Sequence, residues 1–111
     1  MAKKIKFTYK DRDYVLEFNR NSVRALEAQG FQVEKIDAQP DTMISLLFAG
    51  AFLMHHRNAA TNRKLVEEIF RNIPKRGELV ETLVEMYQEP LLALFDEPEE
   101  TEGNLEWETE D

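Results

Sequence analysis

The stretch that decides the fold is Lys4–Phe18, KIKFTYKDRDYVLEF. Ile5, Phe7 and Tyr9 alternate with Lys4, Lys6, Thr8 and Lys10, and then Tyr14, Leu16 and Phe18 alternate with Asp13, Val15 and Glu17. A period of two on both sides of a polar Asp11-Arg12 step marks two half-buried strands folded into a β-hairpin over about residues 3–18. Pairing about that centre sets Tyr9 opposite Tyr14, Phe7 opposite Leu16 and Ile5 opposite Phe18 on one face. Lys10 then meets Asp13 and Lys6 meets Glu17 on the other, each pair of opposite sign. A one-residue slip would break both sets, so the pattern specifies the register strongly. Asp11-Arg12 is not the Asn-Gly or Asp-Gly of a two-residue turn, and a four-residue loop over Lys10–Asp13 fits the same register equally well.

A lone hairpin is marginal in water and its apolar face needs a cover. The rest of the chain supplies helices. Asn19 or Asn21 caps a short helix over about 20–29 that carries Val23 and Leu26 and stops at Gly30. Phe31 and Val33 pack in the loop that follows. Pro40-Asp41-Thr42 opens a helix over about 40–56, apolar nearly all round, as suits the middle of a bundle. Its central Ala49-Gly50-Ala51 lowers helix propensity but lets a neighbour approach closely. Asn58–Asn62 reads as a loop with Thr61 as a cap. Leu65, Val66, Ile69, Phe70 and Ile73 mark a helix over about 62–73 ended by Pro74. Leu79, Val80, Leu83, Val84 and Tyr87 mark another over about 77–95, with Leu91, Leu94 and Phe95 carrying the stripe past Pro90. That proline is expected to kink or break it. The fold class is therefore α+β: a hairpin, then about four helices, in one domain over 1–95.

Charge divides the chain at the same place. Residues 96–111, DEPEETEGNLEWETED, hold nine of the 22 acids and no base, leaving 13 acids against 14 bases before them. The net charge of −8 thus describes an acidic tail on a near-neutral body. A segment this charged and this poor in apolar residues buries too little surface to offset chain entropy, so disorder is expected over 96–111. Leu105 and Trp107 stand among its glutamates in an acidic-apolar pattern that suits a docking motif, while a passive solubilising extension explains the same residues.

Chemistry finds little to work with. There is no cysteine, hence no disulfide framework, thiolate zinc site or cysteine nucleophile. His55 and His56 are adjacent, about 100° apart on a helix, so they do not share a face as paired ligands would. The row Glu78, Glu81 and Glu85 suits a solvated helix face. The basic residues are scattered without interleaved aromatics, which argues against a phosphate backbone as partner. No glycine-rich phosphate loop or serine elbow is present. The expectation is a non-enzyme without cofactor or metal. The apolar run Met43–Met54 spans twelve residues, short of the roughly twenty a membrane crossing needs. No apolar signal core follows the basic N-terminus, so a cytoplasmic protein is expected.

The order of these features resembles a known family. The lysine-rich hairpin, Gly30-Phe31, the run Leu47-Phe-Ala-Gly-Ala-Phe-Leu-Met-His-His-Arg57, then Met86-Tyr-Gln-Glu-Pro90 and an acidic end with Glu102-Gly-Asn104 and Trp107-Glu108 are similar to the small tail assembly chaperones of long-tailed phages and prophages of Gram-positive bacteria. The resemblance implies a non-enzymatic role in the bacterial cytoplasm: binding the long, aggregation-prone tape-measure protein and keeping it soluble until tail-tube subunits polymerise around it. Contact with the tube protein and a frameshifted longer form are known in the family. Self-association would add valency along a long client. Client contact is expected from parts of the Met43–Met54 helix and the Leu79–Phe95 stripe, with Phe48, Phe52, Leu83, Tyr87 and Leu91 as candidates, and Leu105 and Trp107 as guard or second docking point. Two rivals are a structural tail or head–tail adaptor retained in the virion, and an acidic inhibitor of a host protein.

Overall fold

The computed structural model describes residues 3–95 and 108. It is α+β, with an N-terminal antiparallel hairpin followed by five helices among the described residues. The hairpin is β1 (Ile5–Tyr9) and β2 (Arg12–Leu16). Its apolar faces agree with the alternating pattern, but its register does not follow the pairing set out above. Ile5 lies opposite Leu16, Phe7 opposite Tyr14 and Tyr9 opposite Arg12, while Lys6 faces Val15 and Thr8 faces Asp13. The turn is Lys10-Asp11, with φ of 49° and 65°. Positive φ at both central residues is the signature of the tight hairpin turn that matches strand twist. Pairing is therefore displaced by two residues, which preserves every side chain's face. Phe18 falls beyond the ladder and enters the core.

The helices surround the hairpin's inner face. Helix α1 (Arg20–Ala28) starts at Asn19, whose side chain accepts from Ser22 N–H while the Ser22 hydroxyl accepts from Asn19 N–H, a reciprocal capping box. It ends with Gly30 at φ +92°. Gly30 N–H donates to Glu27 C=O and Phe31 N–H to Leu26 C=O, the two bonds of a Schellman stop.

Helix α2 (Pro40–Ala51) is shorter than the expected 40–56. Residues 52 and 53 tighten into i→i+3 bonds to Ala49 and Gly50, and the Ala51 carbonyl accepts from Glu17 N–H at 3.1 Å. The carbonyl that would have continued the helix is bonded to the chain just past β2. Gly50 is required by a neighbour: a Cβ there would lie 2.6–2.7 Å from the Leu26 side chain, which is itself buried. The close approach expected at Ala49-Gly50-Ala51 is thus that of a leucine from α1.

Residues 57–60 form a short helix, α3 (Arg57–Ala60), where a loop was expected. Asn62, not Thr61, caps α4 (Arg63–Asn72), accepting from Leu65 N–H at 3.2 Å. The Thr61 hydroxyl instead donates to Asn58 C=O. Helix α5 (Arg76–Leu92) runs through Pro90, and a 3-10 turn follows at Ala93–Phe95. A kink or break was expected at the proline; the helix is not broken there, because the missing N–H falls in the last turn, where few helical bonds remain to be lost.

The core joins all layers: Tyr14, Leu16 and Phe18 from the hairpin region, Val23 and Leu26 from α1, Met43, Leu47, Phe48 and Ala51 from α2, Phe52, Val66, Ile69, and Leu79, Leu83, Met86 and Tyr87 from α5. Phe52 is its aromatic hub, with ring centroids 5.1 Å from Phe48, 5.7 Å from Tyr14 and 6.4 Å from Phe7. Phe31 meets the Tyr87 ring edge-on at 4.8 Å. The expected disorder of 96–111, and with it the domain boundary at 95, concerns residues that, Glu108 apart, lie outside those described.

Candidate functional site

Four of the residues selected as client contacts are core residues. Phe48, Phe52, Leu83 and Tyr87 are 1%, 0%, 0% and 3% exposed, so they hold the domain together rather than face a partner. Leu83 and Tyr87 lie on the inward face of α5, and Phe48 lies on the buried side of α2, whose Asp41 and Ser45 are exposed. Leu91 is half-buried at the core's margin. Leu105 and Trp107 lie outside the described residues.

The apolar surface lies further along the same stripe. Leu92, Leu94 and Phe95 are 68%, 51% and 83% exposed. Past Pro90 the chain has run beyond the body it packs on, so a periodicity that is buried at Leu83 and Tyr87 emerges into solvent at its end. Leu91 and Leu94 line a small hollow with Pro90 and with Arg20, Val23, Arg24 and Glu27 of α1. The acidic run begins at the next residue, Asp96. Leu94 and Phe95 were legible as continuations of the stripe; Leu92 was not, because it lies off that face.

A second apolar recess opens between α2 and α4. It is a cleft of about 510 Å³ whose floor includes Ile44, Phe48, Val66 and Phe70, with Asp41, Glu67 and Arg71 among its polar lining. Among the described residues no group of three or more His, Cys, Asp or Glu could hold a metal ion. No described helix is long and apolar enough to cross a membrane.

Both histidines instead clasp the hairpin. His55 Nε2 lies 2.8 Å from Glu17 Oε1, a carboxylate that is 7% exposed as a residue and has Lys4 Nζ at 3.9 Å. His56 Nε2 accepts the Val15 N–H at 2.9 Å and its ring meets Tyr14 edge-on. An imidazole that accepts at Nε2 must be neutral with its proton on Nδ1. Burial, His55 and Arg12 together hold the His56 pKa below its ordinary 6.5. The unfolded chain therefore binds a proton more readily than the folded one. Stability is full above pH 6.5 and falls as pH drops through 6.5 toward the lower folded value. Urea midpoints between pH 7.5 and 5 should fall more steeply for the natural chain than for His56→Gln, whose amide oxygen can accept the same bond at either pH. Parallel slopes would remove His56 from this role.

At the other end of the hairpin, the Tyr9 hydroxyl donates to Glu68 of α4, and Lys10 pairs with the same carboxylate at 3.0 Å. These contacts, the Tyr9 bond first, hold the Glu68 pKa below the usual carboxylate range, while the bond to Glu68 raises that of Tyr9. All three groups lie near the surface, and they tether β1 to α4 rather than build a reactive centre.

No curated protein and no solved structure matches the chain. A family model described as "Domain of unknown function (DUF5055)" matches residues 1–110, nearly the whole length. The chain belongs to that family.

Proposed function

We propose that this protein is a non-enzymatic tail assembly chaperone that binds a phage tape-measure protein in the bacterial cytoplasm and keeps it soluble until the tail tube polymerises. The observation that carries the reading is the end of α5: Leu92, Leu94 and Phe95 stand exposed outside the core, and nine acids follow within sixteen residues. A holdase needs an apolar surface to meet an apolar helical client, and charge close by to keep the complex in solution. This end of the molecule joins both within one short stretch. The resemblance to tail assembly chaperones identifies the client class. The contact surface in this proposal is Leu91, Leu92, Leu94 and Phe95, in place of the core residues Phe48, Phe52, Leu83 and Tyr87.

The test is the triple replacement Leu92→Ser, Leu94→Ser and Phe95→Ser, co-expressed with the tape-measure protein encoded in the same genome. Its urea midpoint should stay near that of the natural chain, because exposed side chains add little to the core. The client should move from the supernatant to the pellet. A client that stays soluble with the triple variant would contradict this surface.

A further inference from the structure

The two edges of the hairpin are not alike. On β2, the outward N–H of Val15 donates to His56 Nε2 and that of Glu17, just past the strand, donates to Ala51 C=O. Helix α2 and the turn after it therefore close that edge. With pairing at Ile5–Leu16, Phe7–Tyr14 and Tyr9–Arg12 about a two-residue turn, the outward backbone groups of β1 belong to Lys6 and Thr8. No described residue bonds to them. The side chains along this edge alternate as well: Lys4, Lys6, Thr8 and Lys10 are exposed, and Ile5, Phe7 and Tyr9 are half-buried. Lys6 has no carboxylate partner among the described residues. An open edge with a row of lysines is a template for an added strand that carries acids on one face and apolar groups on the other.

The chain contains such a strand sequence. In Asn104–Glu110, NLEWETE, Leu105, Trp107 and Thr109 alternate with Glu106, Glu108 and Glu110. A period of two is unexpected for a merely solubilising run, which needs charge but no alternation. We propose that residues 104–110 of one copy add as a third strand to the β1 edge of a second copy. Glu106, Glu108 and Glu110 then lie on the face that carries Lys4, Lys6, Thr8 and Lys10, and Leu105 and Trp107 extend the apolar face of Ile5, Phe7 and Tyr9. A strand one residue out of phase would put glutamate on the apolar face, so the alternation selects which face the glutamates take. Within the single chain Glu108 is exposed and lies outside any strand, which leaves the edge open to a neighbour. The contact joins two different surfaces, so each pair keeps one edge and one tail free and association proceeds head to tail. The inference stands on the hairpin and the tail sequence and does not need the client named above.

Trp107 is the chain's one tryptophan, so its fluorescence reads the docked segment directly. For the full chain, the mass in solution should rise above 13.0 kDa with concentration, and Trp107 emission should shift to the blue in step. Both changes should reverse in high salt, because exposed Lys–Glu contacts are screened. Lys6→Pro removes an outward N–H without touching the β1–β2 ladder, and Trp107→Ser removes the apolar anchor. Each variant should remain a monomer, and an equimolar mixture of the two should form a one-to-one complex, since one keeps the tail and the other the edge. Lys6→Glu, which keeps the backbone N–H, should weaken association at least tenfold and so guards against a folding defect in the proline variant. A mixture that stays monomeric, association undiminished in both Lys6 variants, or Trp107 buried at every concentration in a monomer would each overturn the proposal.

Discussion

Leu83→Asp is expected to unfold the domain. Leu83 is fully buried on α5, the helix that packs against α1 and α2 in the core. The replacement forfeits the transfer energy of a leucine, about 1.5–3 kcal/mol, and places a carboxylate in the apolar core. Burying an unpaired charge costs several kcal/mol more even after the group takes up a proton. The total is on the order of 5 kcal/mol or more, against a whole stability of about 5–15 kcal/mol for a domain. Far-UV circular dichroism and urea unfolding at 25 °C would show the loss. A folded Leu83→Asp chain with an unchanged midpoint would return Leu83 to the surface and contradict the packing of α5.

Phe52→Ala is expected to be the next most costly change, destabilising by about 3–5 kcal/mol. Phe52 is 0% exposed and meets Phe7, Tyr14, Phe48 and His56 through its ring. It stands where α2 gives way to the turn that closes β2, so the vacated volume lies between hairpin and helices, which cannot both move in to fill it. Edge-on ring pairs add a further increment, about 0.5–1.5 kcal/mol each. The urea midpoint should fall with little change in slope. The His56 clasp on Val15 should loosen as well, seen as faster exchange of the Val15 amide. A cost below about 1 kcal/mol would mean that the hub is not packed as described.

The α+β class and the faces of the hairpin were legible because a period of two and a period of 3.6 leave different marks, and both are strong here. The register was not, because Lys10-Asp11 is an unusual pair for a turn that needs two positive φ angles, and the opposite-charge pairs Lys10–Asp13 and Lys6–Glu17 pointed to a centre one residue later, which shifts every pairing by two. Those acids have other partners: Asp13 accepts from the Thr8 hydroxyl at 2.6 Å and Glu17 meets His55. The early end of α2 was hidden for a related reason, since only the folded chain shows that Glu17 N–H takes the Ala51 carbonyl.

The proposed interaction surface was legible in kind more than in place. An apolar stripe at helical spacing says that one face is covered, and it does not say where the cover stops. From Leu79 to Tyr87 the cover is the core itself; from Leu92 onward it is absent from the described residues. That boundary follows from the length of α5 against the size of the body, a tertiary quantity that no local pattern carries. The histidine pair shows the converse. Nothing local marks its partner: His56 packs on Tyr14 and accepts the Val15 N–H, on a strand edge forty-one residues earlier.

The central claim is that this chain holds a tape-measure protein in solution. Co-expression of the full chain with that protein, followed by sedimentation and size-exclusion chromatography of the supernatant, tests it most directly. The account predicts that the tape-measure protein is insoluble when produced by itself, and that it becomes soluble and co-elutes with this chain when the two are made together. A tape-measure protein that stays in the pellet beside abundant, folded chain would contradict it.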